Sequence, residues 1–77
     1  MPKYFKVYDS NEVLFITIDD SGAVIIKDKA GKKIFLSRYQ AKLMRFSIDN
    51  LFGDKFKKSS DSSIHIEEIS EEDSNKK

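Results

Sequence analysis

Four short runs rich in β-branched and aromatic residues follow one another with only two or three turn-forming residues between them. The runs are 4–8, 12–19, 23–29 and 32–36. Asp9-Ser10-Asn11 closes the first, Asp20-Ser21-Gly22 the second, and Ala30-Gly31 the third. Strands joined by so little chain must run antiparallel, because a parallel crossover takes about a dozen residues or more. The spacing predicts a four-stranded antiparallel meander. The hydrophobic period then changes. Ser37 and Gln40 have capping-box spacing, residues 38–52 contain neither Gly nor Pro, and Gly53 is a natural C-terminal stop. That predicts one C-terminal helix of about four turns, and with it an α+β class.

At 77 residues the chain has room for one small domain. Residues 1–56 are expected to form it. Beyond Phe56, Lys, Ser, Asp and Glu dominate, with too little apolar surface to offset the entropy of ordering, so 57–77 are read as a disordered acidic, serine-rich tail. Charge divides at nearly the same place. Residues 1–58 hold 12 basic and 7 acidic side chains, a net of +5; residues 59–77 hold 2 and 6, a net of −4; together they give the overall +1. No cysteine is present, which excludes a disulfide framework and a thiolate nucleophile, and His65 is the single histidine. No metal or cofactor is expected. The N-terminal residues lack the apolar segment of a signal peptide, and no run approaches the roughly 20 apolar residues of a membrane span. The expectation is a soluble intracellular protein, nuclear in a eukaryote and cytoplasmic otherwise.

Alternation along strands splits each run into two faces. Phe5, Val7, Leu14, Ile16, Ile18, Val24, Ile26, Ile34 and Leu36 form an apolar face for the helix to cover. The other face carries Tyr4, Lys6 and Tyr8; Val13, Phe15 and Thr17; Ile25, Lys27 and Lys29; and Lys33 and Phe35. It mixes lysines with rings and has no acidic side chain. Single-stranded nucleic acid suits such a face: unstacked bases lie on rings, at about 1–3 kcal/mol per base, while lysines neutralise phosphates. The alternative is that Phe15, Ile25 and Phe35 form a second apolar layer or a protein contact with a lysine rim.

At about 100° per residue the helix carries two apolar stripes. Ala41, Met44, Ile48, Leu51 and Phe52 form one, and Tyr39, Leu43 and Phe46 the other. A helix that only covers a sheet needs one. Tyr39, Leu43 and Phe46 are therefore assigned to a homodimer interface, which also suits a chain too short to be stable on its own core. The alternative is a tail that folds back over this stripe through Ile64, Ile66 and Ile69.

A dimeric four-stranded meander with one following helix and a basic, aromatic sheet face resembles the positive cofactor 4 family of transcriptional coactivators that bind single-stranded DNA. Glu12-Val13-Leu14-Phe15-Ile16-Thr17-Ile18 is similar to the family's strand of the form K-V-L-V-D-I-R. Gly31-Lys32-Lys33-Ile34-Phe35-Leu36-Ser37 resembles its G-K-K-G-I-S-L segment, and Gln40, Met44 and Arg45 fall where a family helix reads E-Q-W-x-x-L-K. The second glycine of G-K-K-G is absent, and Ala41 stands where the family has tryptophan. The resemblance covers about residues 4–52. It implies Lys32, Lys33 and Phe15 on the nucleic-acid path, whereas Tyr4, Lys6, Tyr8, Lys27, Lys29 and Phe35 rest on face parity. Alternation turns Lys32 inward; a register shift at the missing glycine would bring it out.

The tail holds Ser59, Ser60, Ser62, Ser63, Ser70 and Ser74, and Ser70-Glu71-Glu72-Asp73 suits an acidophilic kinase. Residues 64–68 could add a strand to a partner. A tail that competes with DNA, one that recruits transcription or replication proteins, and one that only solubilises are the three readings. Catalysis has no constellation to support it: Asp19-Asp20 belongs to a turn, and His65 has no partner to tune it. The expectation is a non-enzymatic homodimer that binds single-stranded DNA or RNA, with a protein–protein adaptor using the same sheet face as the alternative.

Overall fold

The structure, a computed structural model, describes residues 1–51 and 63–75. Five strands form one antiparallel sheet: β1 Lys3–Tyr8, β2 Val13–Ile18, β3 Val24–Asp28, β4 Lys33–Leu36 and β5 His65–Ile69, in the spatial order β4-β3-β2-β1-β5. Helix α1 spans Arg38–Leu51, and the one-turn helix α2 spans Glu71–Ser74.

The three hairpin connections share one device, an aspartate whose Oδ1 gathers the amides of the turn. Asp9 accepts from the Asn11 and Glu12 N–H groups at 2.8 Å each. Asp19 accepts from the Ser21 N–H at 2.9 Å, the Ser21 hydroxyl at 2.6 Å and the Ala23 N–H at 3.1 Å. Asp28 accepts from the Ala30 and Lys32 N–H groups at 2.9 Å each. These are the self-bonding turns that Asp favours. Gly22 and Gly31 supply the positive φ values, 91° and 90°, that the second and third turns require.

Helix α1 starts on the anticipated capping box: the Gln40 N–H donates to Ser37 Oγ at 3.1 Å, and the Ser37 N–H donates to Gln40 Oε1 at 2.9 Å. Ser37 alone separates β4 from α1, so the helix leaves from the edge strand. Close to its start, a Cβ placed on Gly22 would lie 3.2 Å from Arg38 Cγ, which puts the β2–β3 turn against the helix N-terminus.

Two expectations are corrected. The sheet has five strands rather than four, because residues 65–69 of the supposed disordered tail pair with the free edge of β1, and residues 71–74 form a helical turn after them. The helix also does not cover the apolar sheet face. Its contact with the sheet is made chiefly at β4, and no residue of α1 is buried. Among the described residues no hydrophobic side chain is buried. Phe5, Val7, Ile16, Ile18 and Ile66 line an open apolar depression on the sheet. The Cα radius of gyration, 13.2 Å, exceeds the about 11.5 Å of a compact 77-residue chain. The expected helix end at Phe52 and Gly53, and the tail serines 59, 60 and 62, lie outside the described residues.

Candidate nucleic-acid interface

Strand register assembles the second sheet face row by row. Lys6 stands opposite Phe15, Phe15 opposite Lys27, and Lys27 opposite Lys33, so one row across four strands reads lysine, ring, lysine, lysine. The next row is Tyr4, Thr17, Ile25 and Phe35, and Tyr8 stands opposite Val13 in a third. The lysines lie against rings. Lys27 Nζ is 5.4 Å from the Phe15 centroid and Lys6 Nζ is 4.7 Å from the Tyr8 centroid, both within cation–π reach. Phe35 is 67% exposed near the β4 edge.

Seven of the nine anticipated positions therefore share one face: Tyr4, Lys6, Tyr8, Phe15, Lys27, Lys33 and Phe35. The other two lie in the β3–β4 turn. Lys29 follows β3 and pairs with Glu12 at 3.5 Å. Lys32 precedes β4, where its N–H donates to Asp28 Oδ1 and its carbonyl accepts the Asp28 N–H. Lys33 is thus the lysine that register puts on the face. Tyr39, Leu43 and Phe46 stand on α1, apart from this face, at 73%, 65% and 65% exposure.

Sequence reasoning missed what the C-terminal segment contributes. Continuing the rows onto β5, Ile69 stands opposite Tyr4, Glu67 opposite Lys6 and His65 opposite Tyr8. The His65 and Tyr8 rings are 5.3 Å apart with planes tilted by 31°. Helix α2 then turns onto the same face. Ser70 caps it, its Oγ accepting the Asp73 N–H at 3.1 Å, so the anticipated kinase serine is the helix N-cap. Lys27 Nζ donates to the Ser74 carbonyl at 2.5 Å. Ser74, 5% exposed, is the buried polar residue of the described chain. Burial and, next, the neighbouring Glu71 carboxylate, which accepts the Tyr4 hydroxyl hydrogen bond, raise the Tyr4 pKa above its ordinary value. The absence of acidic side chains, anticipated for this face, is corrected by Glu67 and Glu71. The alternation of Ile64, Ile66 and Glu68 against His65, Glu67 and Ile69 was the available signal for β5, and the unpaired edge of β1 was its target.

Between sheet and tail lies a concavity of about 200 Å³, lined by Tyr4, Phe15, Lys27 and Lys33 from the sheet and by Glu71 and Ser74 from the tail. Two lysines and two rings converge there with one carboxylate, that of Glu71. Among the described residues no group of three His, Asp or Glu side chains gathers as around a metal ion. No helix among them is long and apolar enough to cross a membrane. No known protein family, curated protein or solved structure matches the chain.

Proposed function

We propose that the protein binds single-stranded nucleic acid, DNA or RNA, across the face built by Tyr4, Lys6, Tyr8, Phe15, Lys27, Lys33 and Phe35. One observation carries the reading: the Lys6–Phe15–Lys27–Lys33 row, in which register sets three lysines beside one ring at strand spacing across the sheet. Rings stack bases and lysines neutralise phosphates, so little sequence preference follows. Lys29 and Lys32 add charge at the rim. The resemblance to the positive cofactor 4 family supports a coactivator-like role in transcription and favours DNA; replication or repair would use the same chemistry.

A homodimer belongs to the same reading. It is supported by the stripe of Tyr39, Leu43 and Phe46, by the uncovered apolar sheet face, and by a chain that buries no hydrophobic side chain among its described residues. A second copy is the partner present wherever the chain is, and it offers matching apolar surfaces.

The test is binding of a fluorescent mixed-sequence 20-nucleotide strand and of its duplex, at 50 and 200 mM salt. Three or four phosphate contacts, each contributing a slope of about 0.7, predict a loss of roughly 20- to 50-fold over that range. The exposed Phe35 beside Ile25 favours one second reading, a protein-binding adaptor on the same face. Affinity for a protein partner through apolar contacts would vary little with salt. No binding to the single strand at either salt concentration would leave that reading in its place.

A further inference from the structure

The face that would take a nucleic-acid strand is already occupied in part by the chain's own acidic end. Residues 63–75 carry five carboxylates (Glu67, Glu68, Glu71, Glu72 and Asp73) and no lysine or arginine. Two contacts and one register pairing reach groups that the strand would use. The Ser74 carbonyl takes the Lys27 ammonium at 2.5 Å, as a phosphate oxygen would. Glu71 lies against the Tyr4 hydroxyl. Glu67 stands directly across from Lys6.

We propose that the β5–α2 segment is a built-in competitor of nucleic acid, with α2 as the displaceable part, so that a single strand binds by evicting α2 from the Tyr4–Phe15–Lys27 concavity. This rests on the strand-binding reading and adds its regulation. The two parts of the segment differ in how firmly they are held. β5 pairs with β1 along its whole length. α2 is a single turn of four residues, far below the length at which a helix is stable by itself, and it touches the sheet chiefly at β1. Its seat on the sheet therefore holds it together, and removing that seat melts it. The contacts that hold α2 in place, Ser74 carbonyl on Lys27 and Glu71 on Tyr4, occupy groups the strand would use, so occupancy and affinity are coupled reciprocally.

The experiment uses the full chain and two charge-matched variants. Glu67→Gln with Glu71→Gln removes two carboxylates from the face, whereas Glu68→Gln with Asp49→Asn removes two elsewhere. Affinity for the fluorescent 20-nucleotide strand is measured at 50 mM salt, and the amide spectra of Asp73, Ser74 and Asn75 are followed by nuclear magnetic resonance as the strand is added. We expect the face variant to bind at least about 5-fold more tightly than the native chain, the low end of ordinary coupling between sites. We expect the matched variant to gain less than 2-fold, and the three amides to move to unstructured positions as the strand saturates. Equal gains in both variants, or α2 amides unmoved at saturation, overturn the competitor while strand binding stands. No binding by the native chain or either variant overturns strand binding and the competitor together. Binding by the face variant alone supports both.

Discussion

Phe15 and Lys33 belong to the same row of the sheet yet should fail differently when replaced. Phe15 offers a ring with the Lys27 ammonium beside it. Phe15→Ala removes one stacking platform, and at about 1–3 kcal/mol per base the affinity for a single strand should fall roughly 5- to 150-fold with its salt slope unchanged. Lys33→Gln removes one phosphate contact, so the slope of log affinity against log salt should flatten by about 0.7. Salt titrations of the two variants separate the roles; indistinguishable curves would remove this row from the strand path. The turn aspartates make a second residue-scale case. Hydrogen bonds from the Ser21 hydroxyl first, and from backbone amides after it, hold the Asp19 carboxyl below its ordinary pKa of 3.8. A carboxyl whose folded pKa is depressed contributes stability above its unfolded value and loses it as pH falls through the folded one. Asp19→Asn should therefore lower the urea midpoint most at neutral pH. The gap to the native chain should close on acidification below about pH 4, and a gap that stays constant to pH 2 would contradict the turn's electrostatic role.

Helix α1 depends on its own ends more than most helices do, because the sheet holds it mainly at β4. It has no acidic residue in its first turn and no basic residue in its last, so the macrodipole receives no help from charge. The reciprocal Ser37–Gln40 cap satisfies the Ser37 and Gln40 amides at its start. Ser37→Ala should cost about 0.5–2 kcal/mol, visible as helix loss by far-ultraviolet circular dichroism before the sheet unfolds. Such local elements were open to sequence reasoning: cap, turns and strand alternation are set by residues within a few positions of one another, and the four strands of the meander sit within a residue or two of their expected bounds. What escaped was non-local. β5 lies among serines and acids whose composition argues for disorder, and its reason for ordering, the free edge of β1, is some 60 residues away. The same blindness hid Glu67 and Glu71 from the candidate face. Where the helix lies on the sheet is likewise non-local: hydrophobic periodicity gives α1 its stripes but not the strand it packs against, which is chiefly β4.

Among the described residues the chain lacks the feature that stabilises small domains, a closed apolar core. Its sheet shows one apolar face with Ile34 and Ile66 well exposed, and α1 shows Leu43, Phe46 and Leu51. Domains of about 60 residues are already marginal with a complete core, so apolar surface left open among the described residues is surface a partner would stabilise by covering. In the proposed homodimer a second copy would provide that cover, and association would then be part of the unfolding equilibrium. The apparent unfolding free energy of such a dimer changes by about 1.4 kcal/mol for each tenfold change in protein concentration. Urea unfolding at 1, 10 and 100 μM should shift its midpoint upward at each step, and sedimentation velocity should return twice the 8.9 kDa chain mass. Phe46→Asp puts a carboxylate in the Tyr39–Leu43–Phe46 stripe and should yield a monomer that unfolds at lower urea, with a midpoint that no longer moves with concentration. A native chain that sediments as a monomer, with one midpoint at all three concentrations, would assign the open apolar face to a different partner. A dimer that survives Phe46→Asp would move the contact from the helix stripe to the sheet depression of Phe5, Val7, Ile16, Ile18 and Ile66. The basic face lies on the other side of the sheet from that depression, so a dimer through the depression would leave both proposed strand-binding faces open on one particle. Two linked faces hold a long strand more tightly than one, because the second engagement is intramolecular. A strand long enough to reach both faces should therefore outbind a strand of half its length by more than twofold, and if the helix stripe makes the dimer, Phe46→Asp should abolish that difference while preserving the affinity for the short strand.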